Sequence, residues 1–469
     1  MPSQHAAAKT VKAGRRAKPA SGSLPHGTTH VGKPAAWQLK LQQAIAHLRS
    51  QEPAQAEPLL RNLHQHWPDQ PDVVHFFGVL RHQQGDSEEA ISLLKQALAL
   101  QPDNPDIWLN LGNMLLLGRD RSDEAVQAYR RSVALMEPPQ RAGPALSNLC
   151  VVLRKQGLLA EAVAAGQRAV ELVPDFADAW YNLSEAYLAS GEVPEGLRAQ
   201  SQAMLLLPAT NFRRQQIIRA LLLLGLKERA VQQLQQWLDE EPDNPVVKHQ
   251  LLACLGKEAP ARASDAYVQK VFDSFSASFD IQLERLQYKA PELVTQALQT
   301  AAGAPAAALD IIDAGCGTGL CGPLLKPWAR SLVGCDLSIG MLQRAVPRAV
   351  YDRLVHVELV QFLASVPASC DAVVSADTLC YFGPLEAVAQ AAAAALRPGG
   401  WLIFTAEALP ADTAASHLLQ PNGRYAHADG YLKQTVLAAD LQLSALEPVM
   451  LRMEAGRPVN GWLVVAGKP

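Results

Sequence analysis

The sequence lacks the features of a cross-linked or membrane-embedded protein. Its seven cysteines are odd in number and scattered, the closest pair being Cys316 and Cys321, so neither a disulfide framework nor a zinc-binding spacing can be read from them. No run approaches the roughly 18 uninterrupted apolar residues that a membrane-spanning helix needs, and no apolar core follows the first basic residues. Neither a membrane span nor a secretory signal is therefore expected, and a reducing cytoplasm suits the thiols best. Acidic residues are missing from the first 51 positions, Glu52 being the earliest. Over the whole chain the signs nearly balance, and a net charge of −3 gives no general pull toward nucleic acid or an anionic membrane.

What remains is a globular composition. A chain of 469 residues that is 49% apolar and 19% charged should divide into two or more domains with ample surface to bury. Residues 1–36 stand apart: Lys9, Lys12, Arg15, Arg16, Lys18 and Lys33 lie among Ser, Gly and Pro, a composition that cannot bury enough apolar area to offset ordering. A disordered basic tail is expected there.

From residue 37 to 244 the chain repeats with a 34-residue period, marked by Pro68, Pro102, Pro138, Pro174, Pro208 and Pro242 with small insertions on either side of Pro138. Small residues recur at one phase as Ala44, Gly78, Gly112, Cys150 and Ser184, and at another as Ala56, Ala90, Ala162, Gly196 and Ala230. Such positions let paired helices approach closely, while Trp108, Leu111 and Leu115, or Trp180, Leu183 and Tyr187, line one helix face. Gly85, Gly157, Gly191 and Gly225 mark the turns within units. The segments Trp108 to Gly112 and Trp180 to Ser184 resemble the tetratricopeptide repeat signature, and six such repeats are counted. Arrays of this kind present surfaces whose ligand the fold does not name. At one phase the six repeats carry Gln42, Phe76, Asn110, Asn148, Asn182 and Gln216. By resemblance this phase lies on the concave face, where Asn110, Asn148 and Asn182 could bond an extended peptide backbone, or simply face water as part of the repeat pattern.

Residues 245–265 read as a capping helix, Val246 to Leu255, and a linker, and residues 266–469 as a second, α/β domain. Its opening helix carries Phe272, Phe275 and Phe279, either as a core stripe or as a lid over a ligand mouth. Apolar runs near 309–315, 331–336, 355–360, 371–376 and 401–406 alternate with helical patterns and specify a parallel sheet. A final pair, near 442–450 and 459–467, should form an antiparallel edge.

The first of these strands runs into Asp313 Ala314 Gly315 Cys316 Gly317 Thr318 Gly319, a glycine-rich turn opening a helix, where open α/β sheets accept nucleotide-like ligands. The dinucleotide fingerprint fails, because Leu320 stands where its third glycine belongs. Asp336 ends the second strand, 17 residues after Gly319, and its carboxylate could accept bonds from both hydroxyls of a ribose or cap the following helix.

Five βα units, a terminal hairpin, Asp313 before three glycines and the Leu396 to Gly400 turn resemble class I S-adenosylmethionine methyltransferases, a Rossmann-like fold with a mostly parallel sheet. With Phe272 Asp273 Ser274 Phe275, Gly423 to His427 and Glu454 to Pro458, the whole resembles the bacterial family of predicted methyltransferases that carry tetratricopeptide repeats. The resemblance implies S-adenosyl-L-methionine as cofactor. It implies that Asp313 orders the turn and engages the methionyl ammonium, that the backbone of Gly315, Gly317 and Gly319 holds the methionyl part, that Asp336 takes the ribose and Glu358 and Leu359 the adenine, and that Cys316, Leu337, Met341 and Asp377 also belong to the cofactor site. If the acceptor must lose a proton, His427, Asp377, Tyr381 and Glu407 are candidate bases. The Asn/Asp-Pro-Pro-Tyr element of enzymes that methylate amino groups of bases is missing from the fourth strand's exit, so nucleic acid is not expected as the substrate. No metal is expected. Three classes of function stay open: a methyltransferase whose repeats bind a protein or peptide, a small-molecule methyltransferase whose repeats serve assembly, and a non-catalytic scaffold that binds the cofactor.

Overall fold

A computed structural model of the chain describes residues 35–117, 121–209, 212–256 and 259–469. Nearly all of the expected basic tail lies outside the described residues. The chain divides into two compact units, one ending at Asn211 and the other beginning at Phe212. No helix among the described residues is long and apolar enough to cross a membrane.

The described residues of the first unit form five helix pairs: Ala36–Arg49 with Pro53–His66, Pro71–Gln83 with Ser87–Leu100, Pro105–Leu117 with Ser122–Leu135, Gly143–Lys155 with Leu159–Leu172, and Ala177–Ala189 with Val193–Leu205. Prolines open several of them, where a missing N–H leaves no intrahelical bond unmade. The small-residue phases do what the sequence implies: Ala44, Ala56, Ala90, Cys150 and Ala162 are fully buried between helices. At Gly112 an added Cβ would lie 2.6 Å from the Tyr129 ring, whose hydroxyl donates to Asn113 at 2.9 Å. Successive units also repeat their polar bonds. The indole N–H of Trp108 donates to the carbonyl of Pro102, and that of Trp180 to Pro174, at 2.7 and 2.8 Å.

The amide ladder also takes part in the packing between repeats. The Asn110 side-chain N–H donates to His75 Nε2 (2.7 Å), that of Asn148 to Asn113 Oδ1 (2.8 Å) and that of Asn182 to Ser147 Oγ (2.9 Å). Each bond reaches back 35 residues, to the preceding unit. Each half-buried amide thus spends one N–H on the preceding unit, so the ladder helps to stitch the repeats together.

The second unit begins with another helix pair, Arg214–Leu223 and Lys227–Glu240, and the helix Pro245–Leu255, capped by Asn244 and ended by Gly256 at φ +65°. Then come nine strands: β1 Leu309–Ala314, β2 Ala329–Asp336, β3 Arg353–His356, β4 Cys370–Ser375, β5 Leu396–Ala408, β6 His417–Leu419, β7 Tyr425–His427, β8 Gln442–Glu454 and β9 Arg457–Gly467. They form one sheet in the order β3-β2-β1-β4-β5-β7-β6, with β9 paired antiparallel to β5 and β8 to β9. β1 to β5 are parallel. One face packs against the helix Ala290–Ala302 through Val294, Leu298, Ile311 and Ile403; the other buries Leu363, Ala392 and Leu432 from the helices Leu359–Ala364, Glu386–Ala395 and Asp429–Ala438.

Most strands fall where the apolar runs placed them. β3 is shorter and earlier than expected because Glu358 starts a helix, its side chain accepting from the N–H of Gln361. The small β6–β7 hairpin was not foreseen, being too short for a period-two pattern to show.

β1 ends in a buried carboxyl. Asp313 is 1% exposed and accepts a bond from the Tyr351 hydroxyl at 2.6 Å. Burial outweighs that bond and raises its pKa to about 7.

Gly112→Val should push a branched side chain into the Tyr129 ring and cost roughly 1–3 kcal/mol, read from urea unfolding. For Asp313, a carboxyl whose folded pKa is raised keeps its stabilising contribution below about pH 4 and loses it as pH rises to about 7. The stability of Asp313→Asn relative to the parent should thus improve steadily between those values and level off above, in thermal melts across pH.

Candidate functional site

The turn after β1 folds around two backbone bonds: the N–H groups of Gly315 and Cys316 both donate to the Cys335 carbonyl on β2, at 2.9 and 3.0 Å. Gly315 has φ +78°, and a Cβ there would sit 2.3 Å from Thr378 at the exit of β4. Gly317, at φ +53°, differs: an added Cβ would meet nothing within 4 Å, because Gly317 borders a cavity of about 270 Å³.

At one end of that cavity stands Asp336. Its Oδ2 accepts from Gly317 N–H (2.9 Å) and its Oδ1 from Ser338 N–H (2.7 Å). The following helix, Ile339–Ala345, is capped by Ser338 Oγ, which accepts from Met341 N–H, so Asp336 is not its cap. Burial raises the Asp336 pKa while both N–H bonds hold it down. Glu358 lies alongside with Oε2 engaged by Gln361 and Oε1 buried without a partner. Leu337, Met341, Val357 and Leu359 complete this wall.

The other end is built on ion pairs. Arg452, 2% exposed on β8, bonds Asp377 Oδ2 through Nη1 (2.6 Å), Glu454 through Nε (3.0 Å) and Glu407 through Nη2. Arg424 pairs with Glu407 (2.6 Å) and Glu454 (2.6 Å). Asp377 occupies a left-handed conformation, φ +54°, held by a bond from its N–H to Thr405 Oγ1; its Oδ1 is buried and unpartnered. Burial raises its pKa against the opposing Arg452 charge. The phenols of Tyr288 and Tyr381 line the same end, each pushed up by burial.

A roof closes over both ends. The helices Asp265–Phe275 and Phe279–Arg285 turn Phe272, Phe275 and Phe279 toward the cavity, with Phe272 edge-on to Tyr381 at 5.3 Å. Two carboxylates latch it. Asp273 Oδ1 accepts from Ser338 Oγ (2.5 Å) and Gly340 N–H (3.0 Å); Asp280 accepts from Thr318 Oγ1 and from Arg348, both at 2.5 Å.

Among the anticipated residues, Gly315, Cys316, Gly317, Asp336, Leu337, Met341, Glu358, Leu359, Asp377 and Tyr381 border this cavity. Asp313 and Gly319 do not. Asp313 is covered by Tyr351, and a Cβ at Gly319 would lie 2.9 Å from that same ring. His427 is also set apart: fully buried on β7, it donates from Nε2 to the Gly383 carbonyl, and burial lowers its pKa to about 4. Glu407 is spent on its two arginines. Sequence reasoning missed Arg452, Tyr288, Asp273 and Asp280. The visible signal for Arg452 was a lone cation between Leu451 and Met453 in an otherwise inward-facing stretch, matched by Glu407 in an apolar strand.

Comparison with known proteins gives the same two parts. The family described as "Methyltransferase domain" matches residues 284–436, and that described as "TPR repeat" matches residues 78–118 and 152–191. Methyltransferase-like protein 27 of Homo sapiens is 36% identical over 84 residues, 18% of this chain and 34% of that protein. The peroxisomal targeting signal receptor of Eremothecium gossypii is 38% identical over 65 residues, 14% of this chain and 11% of that protein. The chain therefore spans between about a tenth and a third of the length of these curated relatives. A solved structure of the Burkholderia thailandensis 1,6-didemethyltoxoflavin-N1-methyltransferase aligns with TM-score 0.35 at 18% identity, over 45% of this chain and 92% of that one. This chain thus carries a tetratricopeptide-repeat region followed by a methyltransferase domain.

Proposed function

We propose that the protein is a class I methyltransferase that uses S-adenosylmethionine, and that its repeats bind a protein or peptide. The observation that carries this reading is the Asp336 end of the cavity. Two acidic side chains stand there, and the cavity's arginines, Arg262, Arg424 and Arg452, are paired with acids elsewhere. A phosphate would meet Asp336 and Glu358 without a counter-charge, whereas a neutral ribose diol and an adenine amine offer donors to the remaining lone pairs of Asp336 and to the free Glu358 Oε1. The unpartnered Glu358 Oε1 and the empty space over Gly317 both fit such a ligand.

When bound, the cofactor supplies a methyl group made electrophilic by a positively charged sulfur. The chain's own work is alignment and exclusion of water, which can contribute about 7–11 kcal/mol. Phe272, Phe275 and Phe279 keep solvent from the roof. At the far end Asp377 Oδ1 can take the proton of an acceptor, with its other oxygen anchored by Arg452. Tyr381 and Tyr288 orient what enters there. The closed aromatic roof favours a second reading, a small-molecule acceptor, since a folded protein could reach Asp377 only by displacing it.

Calorimetry with S-adenosylhomocysteine should show binding to the full chain. Asp336→Ala should weaken it about 10- to 100-fold through loss of charged hydrogen bonds, and Asn148→Ala should leave it unchanged. Equal affinity of Asp336→Ala and the parent would refute the assignment. With tritiated S-adenosylmethionine and cell lysate, label should enter the macromolecular fraction if the repeats deliver a protein acceptor; label confined to the filtrate establishes the small-molecule reading.

A further inference from the structure

The helix Pro245–Leu255 was expected only to close the repeats ahead of a linker, yet it packs on the catalytic side of its unit. His249, 4% exposed, donates from Nε2 to the Gly423 carbonyl at 2.8 Å and stacks on Tyr267 of the roof helix, ring centroids 4.0 Å apart. Gln250 donates to the Pro421 carbonyl at 3.2 Å, and Ala253 packs with Leu419 and Tyr425. Gly423, at φ +86°, is shaped for this contact, since a Cβ there would lie 3.1 Å from the Tyr267 hydroxyl and 3.5 Å from the His249 ring.

The contact leads straight to the cavity. The Gly423 carbonyl and the Arg424 N–H belong to one rigid peptide plane, so holding the first orients the second. Arg424 then reaches Glu407 and Glu454 and borders the cavity at its ion-paired end. The turn itself is closed by bonds from Gly423 N–H to Gln420, from Gln420 N–H to Arg424 and from Arg424 N–H to Asn422 Oδ1, each between 2.8 and 2.9 Å. Nothing else among the described hydrogen bonds engages the Gly423 carbonyl.

We infer that His249 is a positioning residue for the acceptor end of the cavity, setting Arg424 through the Gly423 peptide from a helix that lies outside the matched methyltransferase region. The inference rests on the proposed function only in taking the Arg424 end as the acceptor side. It makes the terminal helix of the repeat region a wall of the catalytic unit, and a specificity element whose loss spares the cofactor end.

The test uses the full chain with His249→Ala and His249→Gln, whose amide N–H can replace Nε2–H. Hydrogen exchange at the amides of Gln420, Gly423 and Arg424 should quicken roughly fivefold in His249→Ala, the scale of one lost hydrogen bond. Exchange in β1 and β2 and the affinity for S-adenosylhomocysteine should stay within twofold, and His249→Gln should restore most of the protection. Unchanged exchange at the turn, an equal rise throughout β1 and β2, or no rescue by glutamine would each overturn the inference. Failure of the parent to bind S-adenosylhomocysteine would refute the proposed function and leave the exchange result standing by itself.

Discussion

The carboxylate of Asp336 holds the candidate site together. One oxygen secures the turn after β1 and the other the start of the helix after β2, so two crossovers that arrive independently are fixed to a common point. Parallel strands end in turns whose backbone N–H groups have no ladder partners, and a single acidic side chain satisfies one from each. The roof is anchored to the same two segments, through Thr318 and Ser338. The turns, the mouth and its cover are thereby made parts of one bonded arrangement.

The opposite end obeys another rule. Arg452 and Arg424 are surrounded by Asp377, Glu407 and Glu454, and burying five charges requires that nearly every donor and acceptor be met. Two groups lack a hydrogen bond: Arg424 Nε, which meets Glu407 only as an ion pair, and Asp377 Oδ1, on a residue whose backbone is also in a conformation that side chains disfavour. Strain and an unmet acceptor coincide where the cavity is deepest in charge. That combination separates this carboxylate from Glu407 and Glu454, each of which meets both arginines.

Legibility in the sequence followed the range of the interactions involved. The repeats announced themselves because the same short-range demands, a proline to start, a small residue to pack and a glycine to turn, recur at a fixed period. The glycine turn and Asp336 were equally visible, since strand, turn and helix are contiguous. Asn110, Asn148 and Asn182 were located at a common phase, but their bonds run to the neighbouring unit, and one helix's pattern does not say which side a half-buried amide faces. His427 looked reactive by type and position, yet a backbone carbonyl 44 residues away claims it. Arg452 and Tyr288 escaped notice because their roles depend on partners far away in sequence, with no local periodicity to betray them.

The segment just before the roof helix shapes how such a protein could be assembled from parts. Arg262 bridges to Phe382, Ala263 and Gly383 exchange backbone bonds with Tyr381 and Ala261, and the Tyr425 hydroxyl grasps the carbonyl of Pro260. A stretch that reads as a tether is in fact bonded to the segment that follows β4 and to β7. Gene fusion or recombination at this stretch would break bonds within the second unit and not a slack tether. The second compact unit begins some fifty residues upstream, near Phe212, and a seam placed just after the helix Pro245–Leu255 would part His249 and Gln250 from the turn at Pro421 and Gly423 that they bond.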